Sequence, residues 1–130
     1  MAFAPIAPET EETARAVVNS GLAVHRALGP GLLESAYEHC MAFELQRSGR
    51  RVRRQVALPI VYEGTKLDAG YRIDLMIDER VIVEIKSIEA LAPIHDAQIL
   101  TYLRLSGRRL GFLINFNVAL FKEGVKRFIL

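Results

Sequence analysis

The sequence predicts an α/β chain of the α+β kind, with one mixed β-sheet and helices packed against it. Three observations carry that expectation. Apolar residues recur at three and four positions through the first third of the chain. After a cluster of arginines the period changes to two. A helix-length segment then separates two strongly apolar strands, which suits a right-handed crossover between parallel neighbours.

The first helix is expected from about Thr10 to Leu28, with Thr10 as N-cap and Glu11 and Glu12 at the positive end of the helix dipole. Val17, Leu22, Val24 and Leu28 supply its apolar positions, and Gly29-Pro30-Gly31 ends it. A second helix should run from Leu33 to Arg47, with Tyr37, Cys40, Met41 and Leu45 facing inward and Ser48-Gly49 as its stop. Val52, Val56, Leu58, Ile60 and Tyr62 then alternate with Arg53, Gln55, Ala57 and Pro59, which reads as one strand with one face buried. Pro59 suits an edge or a strand end, and Glu63-Gly64 marks a turn.

Tyr71–Ile77 and Val81–Lys86 read as an antiparallel hairpin closed by Asp78-Glu79-Arg80. A third helix is expected from Ile94 to Leu105, with Pro93 near its start and Ser106-Gly107 at its end. Leu110–Phe116 is almost unbroken in its apolar character, as in a strand covered on both faces, and Val125–Leu130 would add a short closing strand.

With 130 residues, 51% of them apolar, the chain suits one domain over residues 9–130. Met1–Pro8 reads as a short flexible lead-in, without the basic region and long apolar stretch of a signal peptide. No apolar run reaches the length of a membrane span, so no membrane partner is expected. Cys40 stands alone; it reads as a small buried side chain, and the absence of an internal disulfide suits a reducing cytoplasm. The net charge of +2 is too small to diagnose a nucleic-acid partner. Arg47, Arg50, Arg51, Arg53 and Arg54 form one basic cluster and Arg104, Arg108 and Arg109 another; such clusters can follow phosphates or simply cover a solvated surface.

Chemistry concentrates in the hairpin. If Ile77 pairs with Val81, Asp74 falls directly opposite Glu84 on one face of the sheet, and Lys86 projects to the same side. Like charges in facing positions destabilise a sheet unless something cationic lies between them. Oxygen-only ligands suit Mg²⁺ or Mn²⁺, and the Ile85 carbonyl offers one more oxygen. The plainer alternative is a set of outward-facing charges on a half-exposed sheet. Gln98 and Tyr102, four apart, share one face of the third helix, which can look down on the hairpin or form a surface stripe. Glu34 and Tyr37 open the second helix, where the dipole alone already favours a glutamate. His25, His39 and His95 are isolated, so zinc is not expected, and no phosphate-cradling glycine loop is present.

Gly31-Leu-Leu-Glu34-Ser-Ala-Tyr37 resembles the signature of the GxxExxY family of the PD-(D/E)XK nuclease superfamily. The likeness extends through Val24–Gly31, Asp74, Glu84-Ile-Lys86, Gln98 to Tyr102, and Leu113-Ile-Asn-Phe-Asn117, from about Ala14 to Arg127. It implies a restriction-endonuclease-like αβββαβ core with an extra N-terminal helix. It also implies a phosphodiesterase site dependent on Mg²⁺, with Mn²⁺ as substitute. In that likeness Asp74 and Glu84 are metal ligands and Lys86 is the catalytic lysine. Gln98 and Tyr102 are similar to the Gln-x-x-x-Tyr motif beside the active site of the RecB-like branch. Glu34 matches the helical glutamate that approaches the metal there. The function expected is a metal-dependent nuclease acting on DNA ahead of RNA, alone, as a homodimer or within a nucleic-acid-processing assembly. The alternative is a non-catalytic nucleic-acid-binding or regulatory module that keeps the fold.

Overall fold

A computed structural model describes residues 4–130, so Met1, Ala2 and Phe3 of the expected lead-in lie outside the described residues. Helix α1 spans Pro8–Leu28 and α2 Glu34–Arg47. Strands β1 (Val52–Ala57), β2 (Ile60–Tyr62), β3 (Thr65–Leu67), β4 (Arg72–Ile77) and β5 (Val81–Lys86) follow. Helix α3 (Pro93–Ser106), β6 (Leu110–Asn115), a 3₁₀ turn at Phe121–Glu123 and β7 (Val125–Ile129) complete the chain. The main sheet has the order β1-β4-β5-β6-β7, with β5 and β6 parallel across α3 and the other neighbours antiparallel. The mixed sheet and the αβββαβ order (α2-β1-β4-β5-α3-β6) agree with the expectation, and α1 is the additional N-terminal helix.

Three local expectations are corrected. Thr10 is not the N-cap: α1 starts at Pro8, and the Ala7 carbonyl accepts the Thr10 and Glu11 N–H groups. Proline has no N–H to satisfy at the first helical position and brings the right φ, so no capping side chain is required. The single strand over residues 52–62 is broken at Leu58-Pro59. Leu58 turns into the core and Pro59 cannot donate to a ladder, so β2 leaves the main sheet. It pairs instead with β3, a strand the sequence did not announce, through Glu63 and Gly64 with φ of 52° and 74°. Left-handed values at both central positions are those of the tight turn that matches strand twist.

The third correction concerns which way side chains point. Period two would place Ile73 beside Leu75, and Val56 beside Val52. Leu75 and Val52 do face α1 and α2, but Ile73 and Val56 pack with Ile99 and Leu103 of α3. Both strands change faces at one level, between the pairs Arg54↔Leu75 and Val56↔Ile73. Gln55 occupies that level on β1 with φ 50°, a left-handed value for a residue that has a Cβ. Such a conformation costs about 1–2 kcal/mol.

The loop before α2 is tied down by Tyr37. Its hydroxyl donates to the Gly29 carbonyl (2.6 Å) and accepts the Leu32 N–H (3.1 Å). Its ring lies flat on Phe116, with centroids 4.4 Å apart. Gly31 takes φ 102° within that loop. Ser87, directly after β5, donates to the Leu32 carbonyl, and buried Asn115 holds both the N–H and the carbonyl of Ile88. Lys86 therefore ends a strand whose continuation is bonded on both sides. Tyr37→Phe should keep the stack and lose both hydroxyl bonds, lowering stability by about 1–3 kcal/mol in urea unfolding. An unchanged midpoint would show that the loop holds itself without the hydroxyl.

Candidate active site

The β4–β5 register is the one read from sequence, with Ile77↔Val81 and Leu75↔Val83. The regular ladder stops there, one level short of Asp74 and Glu84. At that level side chains take over from the backbone. The Asp74 N–H donates to Glu84 Oε1 (3.1 Å), and the Ile85 N–H donates to Asp74 Oδ2 (2.8 Å). Each carboxylate thus occupies a place that a strand carbonyl would fill, and the two strands separate around them.

Electrostatics make this an uneasy arrangement. Glu84 is only 4% exposed. Burial, followed by the charge of Asp74, pushes its carboxyl up to about 8. Asp74 is also raised, first by burial and then by the charge of Glu38, against the opposing effects of the Ile85 N–H, Gln55 and Lys86. The carboxylates titrate as a pair that resists carrying two negative charges. Lys86 lowers both but forms no ion pair with either among the described residues. A strand residue presents N–H and carbonyl to the same edge, so the Ile85 carbonyl opens towards the gap its N–H occupies.

Tyr102 stands over the pair from α3. Its hydroxyl accepts a bond from Gln98 Nε2 (3.1 Å), and its own titration is raised by burial and then by the charge of Glu84. The two residues share a groove of about 240 Å³ with Ile60, Tyr71, Ile94 and Thr101. Tyr71 meets Tyr102 edge-on at 6.3 Å.

Of the residues singled out from sequence, the structure brings together Asp74, Glu84, Ile85 and Lys86, with Gln98 and Tyr102 alongside. Glu34 sits exposed in the first turn of α2, and no hydrogen bond joins it to that group. The helical carboxylate whose charge reaches Asp74 is Glu38, one turn further on and 7% exposed. Sequence reading passed over Glu38. The signal was available, because it lies on the helix stripe of Tyr37, Met41, Ala42 and Leu45, where a charge is out of place. It also passed over Gln55, whose Nε2 donates to Glu38 Oε1 (2.5 Å) and to Asp74 Oδ1 (3.3 Å). No local pattern marks that residue.

Most of the arginines in the two clusters, for which a phosphate track and a solvated surface were both open, are bonded within the chain. Arg50 bridges Glu12 and Asp78, Arg53 pairs with Glu79, and Arg54 pairs with Glu38. Arg109 donates to the backbone carbonyls of Ala4, Pro5 and Leu130.

Hard oxygens define the donor set: two carboxylates and a strand carbonyl. These fit a small divalent cation, whose charge would offset the burial and like charge that raise both carboxyl groups. Among the described residues no three His, Cys, Asp or Glu side chains converge on one point. A small divalent cation can be held by one or two carboxylates, keeping several waters.

A family model described as the PD-(D/E)XK nuclease superfamily matches residues 11–128. No curated protein and no solved structure matches the chain. No helix among the described residues is long and apolar enough to cross a membrane.

One consequence is measurable without substrate. The Glu84 carboxyl moves from an ordinary 4.5 to about 8. Between those values the folded chain keeps a proton that the unfolded chain has lost, so stability is full below that window and falls as pH rises through it. In chelator, the melting temperature should decline from pH 5 to pH 8, and Glu84→Gln should flatten the decline. An equally steep decline in the variant would place the titrating group elsewhere.

Proposed function

The chain belongs to the PD-(D/E)XK nuclease superfamily, and from that premise we propose that it is a Mg²⁺-dependent nuclease hydrolysing phosphodiester bonds in DNA. The observation that carries the reading is the Asp74–Glu84 pair at the parted end of β4 and β5, with Lys86 beside it. Two buried carboxylates facing one another cost a sheet stability, through burial of charge and through like charge in facing positions.

In this reading Asp74, Glu84 and the Ile85 carbonyl hold Mg²⁺ or Mn²⁺. The chemistry a bound cation supplies is polarisation of the phosphodiester and acidification of a water. Lys86 sits at the last position of β5, with its charge already acting on both carboxylates. It donates to the phosphate oxygen on which charge develops, or orients the attacking water. With no carboxylate partner in direct contact among the described residues, its ammonium can take that task.

Gln98 and Tyr102 act as a unit. The amide donates to the phenol oxygen, which turns the phenol hydrogen away from α3 and leaves it available to an anionic oxygen near the carboxylates. The groove that these two share with Tyr71 gives an unstacked base an aromatic wall next to the scissile phosphate. DNA is preferred to RNA on the family likeness, and RNA is the control. Glu34, in the first turn of α2, lies two residues beyond the Leu32 carbonyl that Ser87 holds, at the end of the molecule where Lys86 lies. Any role there is as an outer carboxylate towards waters on the cation.

Labelled single-stranded, double-stranded and branched DNA, with RNA alongside, should be cut in Mg²⁺ or Mn²⁺ and not in chelator. Asp74→Ala should abolish cutting. Lys86→Ala should lower turnover by about 100- to 1,000-fold, as removal of one donor to a developing charge does, with cation affinity much less affected. Cutting by Asp74→Ala at the wild-type rate would sink the assignment. Salt-dependent binding with no cutting by the wild type would turn the reading to the non-catalytic module.

A further inference from the structure

We infer that Gln55 is a positioning residue for this site, aiming Asp74 with a neutral amide from a strained backbone position in β1; the inference rests on the nuclease reading above. The flanking pairs Arg54↔Leu75 and Val56↔Ile73 are in register, so Gln55 stands opposite Asp74. It nevertheless adopts φ 50° in mid-strand, where neither neighbour is a glycine and no turn is being made. Non-glycine residues held in the left-handed region are concentrated where function over-determines the backbone.

Geometry shows what the conformation achieves. One hydrogen of the Gln55 amide goes to Glu38 Oε1 and the other towards Asp74 Oδ1. Glu38 is a fixed point, because Arg54 Nε and Nη2 both bond its other oxygen and the residue is buried. Asp74 Oδ2 is already committed to the Ile85 N–H. The amide therefore sets the rotation of the Asp74 carboxylate about that first bond, and so the direction in which its free lone pairs point.

A neutral donor is the group the task calls for. An arginine or lysine here would neutralise Asp74 and compete with a cation. A carboxylate would add a further like charge beside Glu38, Asp74 and Glu84. An apolar side chain would leave Asp74 to rotate. Gln55 is itself exposed, so its bonds add little to folding stability. Strain without a stability return points to the site.

The test uses Gln55→Gly, which accepts a positive φ without strain and deletes the amide, and Gln55→Asn, which tolerates the same backbone but is one methylene shorter. Mn²⁺ binding is measured by calorimetry, the melting temperature in chelator, and cleavage of single-stranded DNA across a Mn²⁺ titration. Both variants should bind Mn²⁺ about 10- to 100-fold more weakly, the range seen when a group that orients a metal ligand is removed. Chelated Gln55→Gly should melt no lower than wild type, and raised Mn²⁺ should recover most of its cleavage. Unchanged Mn²⁺ affinity in both variants, with the wild type binding and cutting, overturns the positioning role and leaves the nuclease reading intact. A lower melting temperature for Gln55→Gly also overturns it, since the residue would then serve the sheet. A wild type that binds no Mn²⁺ overturns this inference together with the reading beneath it.

Discussion

Two carboxylates that face each other across an antiparallel pair must either separate the strands or find something to hold. In this chain they do both. Asp74 and Glu84 each take up a backbone N–H from the opposite strand, so the β4–β5 ladder ends in side chains and the strands part. Everything nearby follows from that exchange. The Ile85 carbonyl faces the same edge as its N–H, burial and then like charge raise both carboxyl groups, and the strand continuation after Lys86 needs external support. Ser87 and Asn115 provide that support through Leu32 and Ile88. The Gly31-to-Tyr37 segment is thus part of the same construction. It brings the loop before α2 against the far end of the strand that carries Glu84 and Lys86.

The two faces of the sheet contribute unequally. Helices α1 and α2 cover one face with large apolar side chains, and α3 covers the other with fewer. The site lies on the α3 side, since Glu84 shares a β5 face with Ile82, which packs on Ile99 and Leu103 of α3. Yet Glu38 reaches it from α2, past the rim of the sheet, by way of Gln55. That route exists only because β1 and β4 switch faces at the level of Gln55 and Asp74. A regular sheet would have kept α2 out of electrostatic reach of the carboxylates.

Much of this was legible in the sequence, for physical reasons. The Ile77↔Val81 register follows from alternation plus a three-residue connection, and Asp74 opposite Glu84 follows from the register. The α3 crossover follows from segment length, and the covered β6 from its unbroken apolar run. What stayed hidden shares one property, in that each case depends on tertiary context overriding a local period. Pro59 was seen, but its effect was to expel β2 from the sheet. Ile73 and Val56 obey alternation in sequence and break it in space, because Gln55 adopts a conformation that no neighbouring residue announces. Glu38 was the recoverable omission, a charge on an apolar helix stripe. The motif names Glu34 instead, one turn earlier on the same helix. The arginine clusters left a phosphate track and a solvated surface open from sequence; in three dimensions most of those guanidiniums are bonded within the chain, to carboxylates of helices and turns or to backbone carbonyls.

The bond from the Ile85 N–H to Asp74 has a consequence beyond the site's chemistry. Interior strand amides exchange with deuterated solvent only when the surrounding ladder opens, so their protection reports cooperative unfolding of the sheet. The acceptor for Ile85 is a carboxylate on a side chain that can rotate about its own bonds. Its exchange is therefore set by the orientation and protonation of Asp74, while Ile82 and Val83, in the regular part of the ladder, keep the timing of the fold. One amide in the middle of a rigid sheet becomes a spectroscopic reporter of what the carboxylates are doing.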